Sequence, residues 1–415
     1  MTALILQAQP YTPGRVKGPI RIGIENATRN GISIIEQHEL ASFNGACEGL
    51  AVINGLPFSH TMIRVQAHAI PSIILSSDQA AQLSANTEMV LDGQRGLLFT
   101  PELLEQYPPL DIKAPALFSP IESSDGERIM MRASVSNRPG VMRSLSCGTS
   151  AIGLLRMEYL GSQSNTPPGL EFFLNELGTC CDEAEPLPLI ARLPDFSRDK
   201  LPNWCRSLDC SFDDNNRGAR IYDQEPFKTL IDNILEAASQ CSEYYDLRLL
   251  IPYIDSAEEF VRLRDQFKSK LSGMFSIGAM LETVNAAKQI DSLRKEADFI
   301  ALGTNDIIAN LLDCPRDSEQ MNAYEPAIYQ LLQQVAQQAG PRTREIQLNG
   351  QLIRMPGVLP VLIGLGYRIF STDPLLIPYL AESIKQTDTT MAAQLAQQIC
   401  MATDEKAVKK LMTIN

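Results

Sequence analysis

From Glu127 onward the sequence alternates between short apolar runs and amphipathic segments, and this rhythm restricts the fold more than any other feature. The runs are RIMMRASV, AIGLLR, PLIARL, LRLLIPYI, FSIGAML, DFIALG, REIQLN and YRIFS. Near-continuous apolar runs of this length suit strands covered on both faces, as in a parallel sheet. Between most of them lie segments such as AEEFVRLRDQFKSKL and NAAKQIDSLRKEA, with apolar residues at helical spacing. Eight such strands alternating with helices predict the α/β class and, over residues 127–415, a (β/α)8 TIM barrel with C-terminal helices. A doubly wound sheet would more often carry a glycine-rich turn after its first strand, and SVSNRPGVM offers none.

The first hundred residues read differently. PIRIGIE, GISIIE, GLAVING, PSIILSS and EMVLDGQRGLLFT are strand candidates separated by glycine or polar turns, with one helix between His60 and Ala69. Residues 1–104 are expected to form a small α/β domain. The proline- and serine-rich stretch EQYPPLDIKAPALFSPIESSDGE places a linker at 105–126.

A net charge of −13, with no cluster of lysine or arginine, argues against a nucleic-acid or anionic-membrane partner. A local cationic pocket for a small anion remains compatible with it. Nine cysteines without a CxxC pair, and only three histidines, give no zinc pattern and read as reduced thiols. The N-terminus lacks the features of a signal peptide, and no run is long enough to span a membrane, so a cytoplasmic protein is expected.

Chemistry in a barrel of this type sits at the carboxyl ends of the strands. Those ends hold Arg156 and Glu158, Arg192, Glu282, Thr304-Asn305-Asp306, Asn349, and Ser371-Thr372, with Arg217 and Arg316 in adjoining loops. Any one of these arginines could be half of a surface ion pair. Gathered on one rim, they would form a site for a small, highly charged anion, because guanidinium forks match phosphate and carboxylate oxygens. Glu282 and Asp306 could hold Mg²⁺, which takes one or two protein carboxylates and completes its shell with other oxygens.

At these residues the chain resembles the phosphoenolpyruvate-utilising family: Enzyme I of the sugar phosphotransferase system, phosphoenolpyruvate synthase and pyruvate phosphate dikinase. GLPFSHTMIRVQAHAIPSII is similar to its phosphohistidine segment, and AIGLLRMEYL to its Gly-Leu-Leu-Arg-x-Glu strand. AMLETVNAA and ALGTNDIIANLLDCPRD resemble its magnesium-binding segments. The resemblance implies a swivelling phosphohistidine domain ahead of a phosphoenolpyruvate-binding barrel. His60 would accept the phosphoryl group, and Arg156, Arg192, Arg217 and Arg316 would grip phosphate and carboxylate. Glu282 and Asp306 would bind the metal, with Thr304 and Asn305 at the substrate. It also implies a homodimer and a separate phosphoryl-acceptor protein. A histidine behind the Ser59 cap would present its ring at a helix N-terminus, where an incoming phosphoryl group is well matched. His68, near the far end of that helix, reads as structural, and His38 as a surface residue.

Two departures bear on activity. The family's strand-seven segment reads Gly-x-Cys-Gly-Glu, its cysteine being the acid that protonates the enolate carbon. Here the stretch is Gln347-Leu348-Asn349-Gly350-Gln351, and an amide is no proton donor near neutral pH. Cys314, two residues before Arg316, is a candidate substitute acid. The fifty-eight residues ahead of Ser59 also leave no room for the inserted helical or nucleotide-binding domains of those relatives. Gln66 stands where the family's phosphohistidine helix has an arginine, and DFSRDK departs from its Gly-Gly pattern. The expectations are therefore a Mg²⁺-dependent phosphotransferase impaired in pyruvate formation, or a catalytically degenerate phosphoenolpyruvate sensor acting through domain movement.

Overall fold

The structure, a computed structural model, describes residues 3–197, 201–207, 217–273 and 275–412. It divides into two compact units, Met1–Lys113 with Pro315–Glu319, and Ala114–Cys314 with Gln320–Asn415.

The first unit is built on a mixed sheet of eight strands: β1 (Ile5–Gln7), β2 (Gln9–Thr12), β3 (Arg15–Ile22), β4 (Ile32–Glu36), β5 (Gly49–Ile53), β6 (Ser72–Leu75), β7 (Glu88–Asp92) and β8 (Leu97–Phe99). Their order is β1-β8-β7-β3-β4-β5-β6-β2, with β3 to β6 parallel and the flanking pairs antiparallel. Successive side chains of a strand point to opposite faces, and β5 shows the consequence. Ala51 joins one core with Ile20, Ile34, Ile73 and Leu91, while Leu50 and Val52 join another with Leu40, Phe43, Met62 and Val65. Met62 and Val65 belong to the helix His60–Ala67, which packs its apolar face on that second core and carries the chain from β5 to β6.

The helix starts at His60 because Ser59, in an extended conformation, accepts the Met62 N–H with its side chain at 3.3 Å. Gln37 braces the cap by donating to Ser59 Oγ at 3.2 Å and Thr61 Oγ1 at 2.9 Å. The helix closes two residues before the expected end, since Ala69 adopts φ 56° and Pro71 follows. We expect Ser59→Ala to lower the stability of this unit by about 1 kcal/mol, read as a shift in its urea-unfolding midpoint. An unchanged midpoint would show that Ser59 does not cap.

The second unit contains the expected barrel. Its parallel strands are β10 (Arg128–Val135), β11 (Ile152–Arg156), β12 (Leu189–Arg192), β13 (Leu247–Ile254), β14 (Ile277–Leu281), β15 (Ile300–Gly303), β16 (Gln347–Asn349) and β17 (Ile369–Thr372). Each pairs with the next, and β10 pairs with both β11 and β17, which closes the ring. A short strand β9 (Ile121–Glu122) adds antiparallel to β10. One residue from each of β11 to β15, namely Leu154, Ile190, Leu250, Met280 and Ala301, forms an apolar cluster. Beside β10, β16 and β17 the filling is polar, and Gly153 makes room for it. A Cβ there would lie 2.7 Å from the Arg132 Cβ and the Ser371 Oγ, and 3.0 Å from the Gln347 Oε1. Among the described residues no helix is long and apolar enough to cross a membrane. All eight described cysteines are buried and free of disulfide bonds.

Candidate active site on the barrel rim

The carboxyl ends of β11 to β15 bring six charged side chains into one continuous chain of contacts. Arg192, 4% exposed at the end of β12, is its centre. Its Nη2 pairs with Glu158, just past β11, and reaches Asp195 Oδ2 at 3.7 Å. Its Nη1 lies 3.6 Å from Glu282 Oε1 and 3.7 Å from the Met280 sulfur, where the cup meets the apolar filling. Asp195 leads on to Arg217, whose Nη2 is 4.0 Å from Asp195 Oδ1 and 3.4 Å from Asp306 Oδ1.

The local backbone explains how these groups meet. The Arg217 guanidinium lies 3.9 Å from the ring centroid of Tyr253, near the end of β13, a cation–π contact. Tyr253 holds φ 52°, unusual for an aromatic residue, and its N–H donates to Glu282 Oε2 at 3.0 Å. Gly218 has φ 58°, and a Cβ there would sit 2.8 Å from the Tyr253 Cβ, so glycine lets this turn approach β13. Asp306 is in the first turn of the helix Thr304–Leu311 that follows β15.

The electrostatics follow from this packing. Burial alone would push the Arg192 guanidinium down, but Glu158, Asp195 and Glu282 outweigh it and hold its pKa above the usual arginine value. Arg217 is likewise raised, burial being overcome by Asp195 and Asp306. Both arginines stay charged at any working pH. Four carboxylates (Glu158, Asp195, Glu282, Asp306) face two guanidinium groups in this chain of contacts. Glu158 Oε2 is buried with no hydrogen-bond partner among the described residues. Buried carboxylate oxygens are hard donors of the type magnesium selects. Among the described residues no group of three or more histidine, cysteine, aspartate or glutamate side chains is arranged to hold a metal ion. Magnesium needs fewer, because two carboxylates suffice when other oxygens complete the shell.

The remaining sequence candidates fall in several places. Thr304 and Asn305 are buried and tie down the loop after β16. Thr304 Oγ1 donates to the Asn349 carbonyl at 2.8 Å, and Asn305 Oδ1 accepts the Gln351 N–H at 2.8 Å. Between them Gly350 has φ 124°, and a Cβ there would lie 2.3 Å from Thr304 Oγ1. Ser371 Oγ pairs with Ser134 Oγ across β17 and β10 at 2.9 Å. Arg156 ends β11, and its charge bears on Asp373, just beyond β17. Burial pushes the Asp373 carboxyl up to about 6, against the opposing pull of the Leu375 N–H and of Arg143, Arg354 and Arg156. Arg316 lies in the segment grouped with the first unit. Cys314 is buried, and burial together with Asp313 raises its thiol pKa, so its proton is held more tightly than in a free thiol. In the first unit His60 is half-buried at the helix start, His68 sets its ring edge-on to Phe43 at 5.8 Å, and His38 is exposed. Arg198, Asp199 and Lys200 of DFSRDK lie outside the described residues.

The sequence pattern marks Glu158 only as a strand-end residue and gives Asp195 and Tyr253 no role. Asp195 stands three residues past a strand end, a position that could have marked it. The role of Tyr253 depends on a backbone twist that no apolar pattern reveals.

Comparison with known proteins assigns the family. The family model described as "PEP-utilising enzyme, PEP-binding domain" matches residues 116–389, the barrel. The chain belongs to the PEP-utilising enzymes. A phosphoenolpyruvate-protein phosphotransferase of Haloferax volcanii is 23% identical over 393 residues, covering 88% of this chain and 68% of its own length. A multiphosphoryl transfer protein of Xanthomonas campestris is 26% identical over 387 residues, covering 88% of this chain and 46% of its own. Multiphosphoryl transfer protein 2 of Escherichia coli is 24% identical over 429 residues, covering 96% and 50%. This PEP-utilising chain thus spans between about half and two thirds of the curated relatives it matches. The solved structure of the citrate synthase SbnG aligns over 65% of this chain and 95% of its own, with 12% identity and a TM-score of 0.37.

Proposed function

We propose that this chain is a Mg²⁺-dependent phosphotransferase that exchanges a phosphoryl group between phosphoenolpyruvate, or a related enol phosphate, and a ring nitrogen of His60. The observation that supports this reading is the continuous chain Glu282–Arg192–Asp195–Arg217–Asp306 on the rim of a barrel of the PEP-binding type. Arg156, Arg192, Arg217 and Arg316 would take phosphate and carboxylate oxygens, and Thr304 and Asn305 would keep the neighbouring loop in place for them. Glu282 and Asp306 would hold the magnesium, which supplies charge neutralisation at the phosphoryl oxygens when bound. In the transfer the bond from phosphorus to the enol oxygen breaks and one to nitrogen forms, leaving enolpyruvate. Catalysis of that exchange is mostly positioning and charge stabilisation. The names of the relatives support a separate protein as phosphoryl acceptor, and the sequence, with nine cysteines and no CxxC pair, fits a cytoplasmic setting. We read the resemblance as also favouring a homodimer.

A second reading is a catalytically degenerate member that senses phosphoenolpyruvate. The observation in its favour is Asn349, a buried carboxamide at the position of the family's acid.

Both readings require metal-linked binding. We expect phosphoenolpyruvate to bind by calorimetry with Mg²⁺ present, and Asp306→Asn to weaken that binding about tenfold or more. Equal affinity with and without Mg²⁺ would remove the metal from the proposal.

A further inference from the structure

The interior of the barrel beside β10, β16 and β17 contains a relay of side chains that fixes which way Asn349 faces. Arg132, on β10, is a pure donor and gives an N–H from Nη1 to Gln347 Oε1 at 2.9 Å. That contact decides the Gln347 amide, whose nitrogen must then donate. It does so twice, to the Gly153 carbonyl at 2.8 Å and to Asn349 Oδ1 at 3.0 Å. Gln347 and Asn349 are two residues apart on β16 and share its inner face. The Asn349 oxygen is thereby occupied and its nitrogen is the free end. Asn349 is 3% exposed, and its Nδ2 is buried with no hydrogen-bond partner among the described residues. An orphaned buried donor is costly, and a folded protein keeps few without a reason. This one ends a strand on the face of the barrel where the charged cup lies.

We propose that the Arg132–Gln347 relay holds Asn349 as a hydrogen-bond donor to an acceptor oxygen of the bound ligand. The ligand class that follows is a small carboxylic acid carrying an oxygen on the carbon that faces β16. A donor N–H gains nothing from a methyl or methylene group, so a ligand ending in carbon leaves the amide unpaired. This inference rests on the reading that the cup binds a small anion, and it adds which atom that anion presents to Asn349.

Three probes of similar size separate the possibilities. Oxalate presents an acceptor oxygen at both ends, oxamate presents an amide NH2 at one end, and pyruvate presents a methyl group. With Mg²⁺ present, the wild-type protein is expected to bind oxalate in preference to oxamate, and Asn349→Ala to lose about tenfold or more of that preference. Pyruvate affinity should change less than about threefold, since the lost amide makes no bond to a methyl group. Gln347→Glu should turn the Asn349 amide around, because a carboxylate accepts from its nitrogen and leaves its oxygen free. That variant should prefer oxamate. If it does not fold, Asn349→Ala decides alone. Binding with the same oxalate-to-oxamate ratio in wild type and Asn349→Ala would overturn this inference and leave the cup standing. A folded Gln347→Glu protein that still prefers oxalate would overturn the relay. Failure of all three probes to bind the wild-type protein would overturn the cup itself, and this inference with it.

Discussion

Arg192→Ala is expected to destabilise the barrel by about 3–5 kcal/mol and to abolish binding of phosphoenolpyruvate. The size of the effect comes from what the substitution leaves behind. Arg192 is buried and serves Glu158, Asp195 and Glu282 together, so its loss leaves three buried carboxylates without the counter-charge they share. A surface arginine with one partner would cost under about 1 kcal/mol. The urea midpoint of the barrel measures the difference, and adding Glu158→Gln should recover part of the loss by removing one stranded charge. Arg192→Lys should recover less than the charge alone suggests, because a compact ammonium lacks the planar fork that reaches carboxylates beyond three different strand ends. A fall below about 1 kcal/mol for Arg192→Ala would show that the rim carboxylates do not depend on it.

The second large effect concerns the acid position. Asn349→Cys combined with Gln351→Glu is expected to raise exchange of the methyl protons of pyruvate with solvent by about 10² to 10⁴. The wild-type chain places a carboxamide there, and its proton is out of reach near neutral pH, whereas a thiol titrates about one and a half units above it. Burial and Asp313 hold the pKa of Cys314 above the usual thiol value. Proton exchange followed by NMR in D2O gives the rate directly. No gain in a folded double variant would mean that the pocket does not place the carbon of pyruvate at residue 349.

Much of the barrel was legible because parallel strands are covered on both faces. Runs such as RIMMRASV and LRLLIPYI could announce themselves without alternation, and both match their strands residue for residue. In the first unit the sequence pattern does not mark β1 and β2. ILQ is very short, and QPYT carries a proline that argues against a strand unless it lies at a sheet edge, as β2 does. The rim residues Arg192, Glu282 and Asp306 could be placed because a strand end names a face of the barrel. What the sequence pattern could not supply was their pairing. Arg217 joins Asp306 across 89 positions and Arg132 orients Gln347 across 215, so neither contact leaves a local trace. Tyr253 was hidden for another reason. Its side chain cradles Arg217 only because its backbone leaves the strand conformation, and the apolar run around it gives no sign of that turn.

Incubation with phosphoenolpyruvate labelled at phosphorus, in the presence of Mg²⁺, decides whether His60 takes the phosphoryl group. An acid-labile, base-stable label is expected on His60, absent from His60→Ala and lost on removal of the metal. Metal-linked binding that leaves every histidine unlabelled would contradict the transferase and favour the sensor.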